Sequence, residues 1–238
     1  MNGPLAGFGA EAFAARLAEA RHRIEASTRD PGSVRIVAVT KGFGPEAARV
    51  ALQAGLTDLG ENYADELVAK AGQLAGDQRA PGLLGVGAPL EPAWHFLGAV
   101  QRNKVARLAP LVACWQGVSR LQEGQAIARR RPGATVLVQL DVAGLPGRGG
   151  CPPEQAPELV AALRDEDLEV AGLMAVGPPG RPEGARPGFS LLSALADSLD
   201  LPVRSMGMSD DLEVALSEGS TMVRLGRALF GDRAPRSR

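Results

Sequence analysis

The sequence predicts a single α/β domain, a closed (β/α)8 TIM barrel with an extra N-terminal helix and no C-terminal β-domain. Three observations carry this. Short runs rich in valine, isoleucine and leucine alternate with helical segments, as expected of strands buried on both faces of a parallel sheet. Eight such units fit into 238 residues, the length of one barrel. The alternative, an open doubly wound sheet, needs a glycine-rich first turn, and TKGFGPE at 40–46 matches that fingerprint poorly.

The elements follow in order. Residues 10–27 place Phe13, Leu17 and Ile24 at helical spacing, with charged residues between them. VRIVAVT at 34–40 is the first strand, followed by a helix over 46–55 that closes at glycine. DLGEN (58–62) is the second strand and YADELVAKAGQL (63–74) the helix after it. Strands at 94–98, 111–118 and 134–142 alternate with helices at 101–109 and 119–131, the latter with Ser119 as expected N-cap. A helix at 153–166 tolerates proline in its first turn. Strands at 168–176 and 203–209 flank a helix at 189–199. DDLEVALSEG (210–219) begins with acids and ends at glycine, as the helix dipole prefers. TMVRLG (221–226) is the last strand. Residues 76–92 and 177–188 read as loops. The chain is thus expected to be one domain over 1–238, with the N-terminal helix within 1–30 and the barrel over 34–231.

Bulk properties exclude several function classes. A net charge of −1 gives no electrostatic case for nucleic acid or an anionic membrane. No apolar run is long enough to span a bilayer. The opening MNGPLAGFGAEAFAARL has no basic stretch leading an apolar one, so no signal peptide is expected and the cytoplasm is the expected compartment. Cys114 and Cys151 make no metal-spaced set, and the two histidines, His22 and His95, join no ligand grouping. Neither a P-loop nor a nucleophile elbow occurs, since Gly207-Met208-Ser209-Asp210-Asp211 fails the latter at its last position.

Barrels of this type carry their sites at the C-terminal strand ends. That rule selects Lys41, Asn62, the 205–209 segment, and Arg224 with Gly226 and Arg227. Only three of 26 basic residues are lysines (Lys41, Lys70 and Lys104). A lysine does what an arginine cannot: desolvated, it loses its proton and attacks a carbonyl. Lys41 follows an apolar strand and is therefore either a nucleophile or a lysine that snorkels at a strand end. Arg224 sits in an apolar strand and needs a partner, either a carboxylate such as Glu61 or a ligand heteroatom. Asn62 reads as a turn residue or a ligand hydrogen-bonder, Ser209 as an N-cap or a phosphate contact, and Gly226 as a turn glycine or an anion cradle. His95, between Trp94 and Phe96, reads as a satisfied core histidine.

AVTK at 38–41, GENY at 60–63, WHFLG at 94–98, Gln101-x-Asn103-Lys104, GLM at 172–174, SMGMSDDLE at 205–213 and VRLGRALFG at 223–231 occur together in order. In these the chain resembles the pyridoxal phosphate homeostasis protein family, also described as alanine-racemase-like N-terminal-domain proteins, over nearly its whole length. The resemblance implies a bacterial, cytoplasmic barrel that holds pyridoxal 5′-phosphate as a Schiff base on Lys41. It implies that Ser209, Gly226 and Arg227 line the phosphate site and that Arg224 faces the pyridine nitrogen. Asn62 would then meet the ring's edge and Met206 pack near the ring. An arginine at that nitrogen weakens the ring as an electron sink, which suits holding the cofactor or simple racemisation. The implied partners are apo-enzymes that receive the cofactor, and Arg- and Glu-rich outer helices fit a monomer.

The chain departs from the family's pattern at Thr40, where serine is common, and at Ala99, where histidine often stands. Arg227 replaces a small hydroxyl residue, and Gly147-Arg148-Gly149 replaces a Lys-Ser-Gly-like segment. Alanine racemases add a β-domain and a tyrosine base from the partner subunit. Here the only tyrosine is Tyr63, so a carrier is expected rather than an enzyme. The competing readings are a racemase with Lys41 as its single base and a cofactor-free aldolase-type barrel.

Overall fold

The computed structural model describes residues 9–78, 90–145 and 149–232. Eight parallel strands close into a barrel in sequence order. They are β1 (Arg35–Val39), β2 (Asp58–Glu61), β3 (Ala93–Phe96), β4 (Val112–Val118), β5 (Thr135–Leu140), β6 (Glu169–Ala175), β7 (Val203–Ser205) and β8 (Met222–Leu225). Closure is made by β1 on β8, with Val37 level with Arg224. The helices are α1 (Ala10–Ser27), α2 (Pro45–Gln53), α3 (Ala64–Gln78), α4 (Val105–Leu108), α5 (Leu121–Ala128), α6 (Ala156–Asp165), α7 (Arg186–Ser198), α8 (Leu212–Ser217) and α9 (Arg227–Phe230).

Strand residues alternate between two faces. On β8, Val223 and Leu225 point outward into the large apolar layer under the helices. Met222 takes the other face and joins Val37, Cys114, Leu137 and Met174 in a small interior cluster. Arg224 shares that inward face, two residues nearer the C-terminal end. The extra helix α1 buries Phe13, Leu17, Ala20 and Ile24 and packs against α8 and α9. Phe13 meets Phe230 with ring centroids 5.2 Å apart.

Several expected elements differ in detail. The helix expected over 101–109 is only α4, because Gln101 and Arg102 carbonyls first close tight turns onto Lys104 and Val105 amides. Ser119 is not the N-cap of α5; Arg120 is. The Glu123 carboxylate accepts from the Ser119 amide at 2.8 Å and the Arg120 amide at 3.1 Å, so an acid closes this helix start from inside it. The segment 177–188 is not all loop. Pro182–Ala185 forms a 3-10 turn and α7 begins at Arg186. Proline suits a first turn, where its missing N–H has no partner to lose, so composition pointed to a loop where a helix starts. Of the loop expected at 76–92, residues 76–78 belong to α3, and 79–89 lie outside the described residues. The eighth helix is shorter than 210–219, since Asp211 rather than Ser209 stands before its first residue.

Candidate functional site

A cavity of about 460 Å³ opens at the C-terminal strand ends, within the size range of small-molecule sites. It gathers Lys41, Asn62, Met208, Ser209, Arg224, Gly226 and Arg227 from β1, β2, β7, β8 and the turns that follow them. Six of the seven expected binding residues therefore meet in one place. Met206 does not line the cavity. It is fully buried in the apolar layer, and Met208 and Met174 line the cavity instead.

Lys41 is the first residue after Thr40, and α3 holds the backbone on both sides of it. Lys70 Nζ donates to the Thr40 carbonyl at 2.8 Å. The Glu66 carboxylate accepts from the Gly42 amide at 2.8 Å. Gly42 has φ of 76°, the left-handed region that a side chain rarely adopts. Lys70 also binds Glu61 Oε1 at 2.5 Å, and the Thr40 hydroxyl donates to the same oxygen at 2.6 Å. Burial pushes the Glu61 carboxyl above its ordinary pKa, even though the Lys70 ammonium pulls it down. The sequence reading missed Lys70. Its signals were present: a retained lysine in an arginine-rich chain, one helical turn after Glu66.

Among the described residues Arg224 pairs with no carboxylate, contrary to the Glu61 alternative; Lys70 occupies Glu61. Its Nη1 donates to the Ser205 carbonyl at 2.7 Å and the Ser205 hydroxyl at 2.8 Å, and its Nη2 to the Ala175 carbonyl at 2.8 Å. Burial lowers its pKa to about 10, opposed by the charge of Asp211. A guanidinium has five N–H groups, so two remain for a ligand in the cavity. Asn62 Oδ1 is buried and without a hydrogen-bond partner. Asn62 is fixed by close packing: a Cβ on Gly98 would fall 2.1 Å from the Asn62 carbonyl oxygen.

Ser209 caps α9 instead of α8, its hydroxyl accepting from the Ala228 amide at 3.0 Å. Its carbonyl accepts from Arg23 of α1 at 3.1 Å, so the extra helix reaches the site. Gly226 has φ of −107° and only ordinary contacts at an added Cβ, so neither strain nor space demands glycine there. The Arg227 side chain is more than half exposed and salt-bridged to Asp210. Of the 147–149 segment only Gly149 is described, and it lines the cavity. His95 is the satisfied core histidine expected, 1% exposed, with Asp58 on Nε2 and Gln116 on Nδ1, each at 2.8 Å.

Other chemistries find little support. Among the described residues no three His, Cys, Asp or Glu cluster to hold a metal, and no helix is long and apolar enough to cross a membrane. Both cysteines are free and buried. Burial pushes the Cys114 thiol up to about 12.

Comparison with known proteins agrees with this geometry. Residues 11–234 match the family model for the alanine racemase N-terminal domain. A pyridoxal phosphate homeostasis protein of Pseudomonas aeruginosa is 38% identical, covering 94% of this chain and 95% of its own. A crystal structure of an unknown protein from Bifidobacterium adolescentis superposes with TM-score 0.83 at 31% identity, covering 93% of this chain and 95% of that one. PipY of Synechococcus elongatus with PLP bound superposes with TM-score 0.74 at 26% identity, covering 92% of this chain and all of that one. The chain therefore belongs to the alanine racemase N-terminal-domain family and, within it, to the pyridoxal phosphate homeostasis proteins.

Proposed function

We propose that this protein holds pyridoxal 5′-phosphate in the barrel-mouth cavity and serves cofactor homeostasis as a carrier rather than as a dedicated enzyme. Lys41 is the covalent anchor: its amine condenses with the cofactor aldehyde, a C=N bond forms and water leaves. The observation that carries the reading is the cavity itself, where the one lysine lining it meets an arginine with two N–H groups to spare and a buried Asn62 oxygen without a partner. An orphaned acceptor of this kind is unfavourable unless a ligand donates to it, so the donor set fits a flat polar ring. Ser209, Gly226 and Arg227 take the phosphate end, Arg227 through its backbone N–H while its side chain stays on Asp210, with Arg224 at the pyridine nitrogen and Asn62 at the ring edge.

Pyridoxal phosphate supplies a reactive aldehyde, and the protein's part is to capture it reversibly and shield it. Arginine, rather than a carboxylate, at the ring nitrogen suits storage over demanding carbanion chemistry. Tyr63 is half exposed and does not line the cavity, so it supplies no second base there. The relatives' description as homeostasis proteins, and PLP bound in PipY, support the same reading. Apo-enzymes that receive the cofactor are the partners this role requires, and the protein acts as a cytoplasmic monomer.

The test is the visible spectrum after incubation with pyridoxal phosphate and gel filtration, wild type beside Lys41→Ala. A yellow band in the wild type, bleached by borohydride and absent from the variant, is expected, with no turnover of alanine or serine. A colourless wild type would overturn the cofactor reading, and sustained racemisation would overturn the carrier reading alone.

A further inference from the structure

A chain of buried polar groups runs up the inside of the barrel from its N-terminal face to the cavity. It starts at Asp58, the first residue of β2, whose carboxylate is held by Arg35 at 2.6 Å. It continues to His95 Nε2 at 2.8 Å, from His95 Nδ1 to Gln116 Nε2 at 2.8 Å, and from Gln116 Oε1 to the Ser205 hydroxyl at 2.6 Å. The last link joins Ser205 Oγ to Arg224 Nη1 at 2.8 Å. His95, Gln116 and Ser205 are each 1% exposed or less.

The direction of every link is forced from the arginine end. A guanidinium only donates. Ser205 Oγ therefore accepts there, and its single proton must go to Gln116 Oε1. That turns the Gln116 amide nitrogen toward His95, its second proton resting on Met222 Sδ at 3.2 Å. His95 Nδ1 must then accept, so the ring proton sits on Nε2 and points at Asp58. Turning the Gln116 amide over would leave the Ser205 proton with no acceptor. A buried unmet donor is heavily disfavoured, so the chain has one consistent state, and a fault at any link is passed to Arg224.

We propose that Asp58, His95, Gln116 and Ser205 form a positioning chain that fixes the orientation of Arg224, and thereby the electronics and affinity of the ligand in the cavity. Asp58 does for His95 what a carboxylate does in a catalytic triad: it selects the tautomer. The inference rests on the cofactor reading above and extends it to residues that never touch the cofactor.

The experiment compares wild type, Gln116→Met and Asp58→Asn. Each is titrated with pyridoxal phosphate for its Kd and visible band, and each apo form is melted. Gln116→Met cuts the chain at its centre, and Asp58→Asn alters its far end without changing shape. The expected result is a displaced visible band in both variants, with Kd roughly tenfold weaker in Gln116→Met and about threefold weaker in Asp58→Asn. A merely structural role lowers the melting temperature and leaves the band in place. Wild-type band and Kd within twofold, in whichever of the two variants fold, would overturn the chain while leaving the cofactor reading intact. Should Gln116→Met not fold, Asp58→Asn decides alone. A wild type that takes up no cofactor would sink the cofactor reading and this inference together.

Discussion

The two ends of the barrel are built from the same strands and finish differently. At the N-terminal end, Arg35 and His95 both bind the Asp58 carboxylate, and both ring nitrogens of His95 have protein partners. At the C-terminal end, Lys41, Asn62 and Arg224 face a cavity, and Asn62 Oδ1 has none. The N-terminal end closes the fold, whereas the C-terminal end leaves donors and acceptors for a ligand. The contrast points to where function lies: not where charges are densest, but where a buried polar atom such as Asn62 Oδ1 remains unmet.

The largest expected effect breaks the support beneath the open end. Lys70→Met leaves the Glu61 carboxylate buried without its cation. Loss of one partner of a buried pair costs about 3–5 kcal/mol, so urea unfolding should report a fall of that order. A loss under about 1 kcal/mol would mean that the Thr40 hydroxyl alone suffices. A smaller effect belongs to the closed end. Burial works against ionisation of Asp58, but its hydrogen bond to His95 and the charge of Arg35 beside it win, and its folded pKa lies below the ordinary value. A depressed carboxylate contributes stability that is full above its unfolded pKa and lost as pH falls through the folded one. Asp58→Asn should therefore flatten the acid side of the stability curve, measured by melting temperature between neutral pH and the acid limit. An unchanged slope would show that Asp58 is not the group responsible.

Asn62→Ala tests the open end directly. Removing one neutral hydrogen bond to the ligand should weaken cofactor binding roughly fivefold with little change in melting temperature. The reverse pattern, lost stability with unchanged Kd, would make Asn62 a structural turn residue. The smallest effect is expected at Arg227. Its charge is already paired with Asp210 at the exposed rim, and exposed pairs contribute about 0–1 kcal/mol, so Arg227→Ala should change Kd less than about threefold. A tenfold loss would show that the side chain leaves Asp210 and turns onto the phosphate.

The barrel was legible because strands buried on both faces leave unbroken apolar runs, and those runs were found in order. Lys41 and Arg224 were legible for the same reason: a cation in or just after such a run stands out. The interior chain was not legible. His95 and Gln116 lie 21 residues apart and Ser205 lies 89 from Gln116, so no local spacing betrays it. The clamp on Lys41 was hidden likewise, since Lys70 reaches Thr40 across 30 residues. Met206 and Met208 could not be told apart, because short strand β7 ends at Ser205 and alternation stops being a guide where the strand ends. The start of α7 was masked by prolines that read as loop and act as a first turn.

The carrier reading depends first on Lys41 as the covalent anchor, and the chain's lysine content makes that proposal unusually direct to test. Only Lys41, Lys70 and Lys104 carry side-chain amines. Wild-type protein loaded with pyridoxal phosphate, reduced with borohydride, digested and analysed by mass spectrometry should carry the reduced pyridoxyl mass on the Lys41 peptide alone. That mass on the Lys104 peptide, or on no lysine peptide of a protein that had turned yellow, would contradict it.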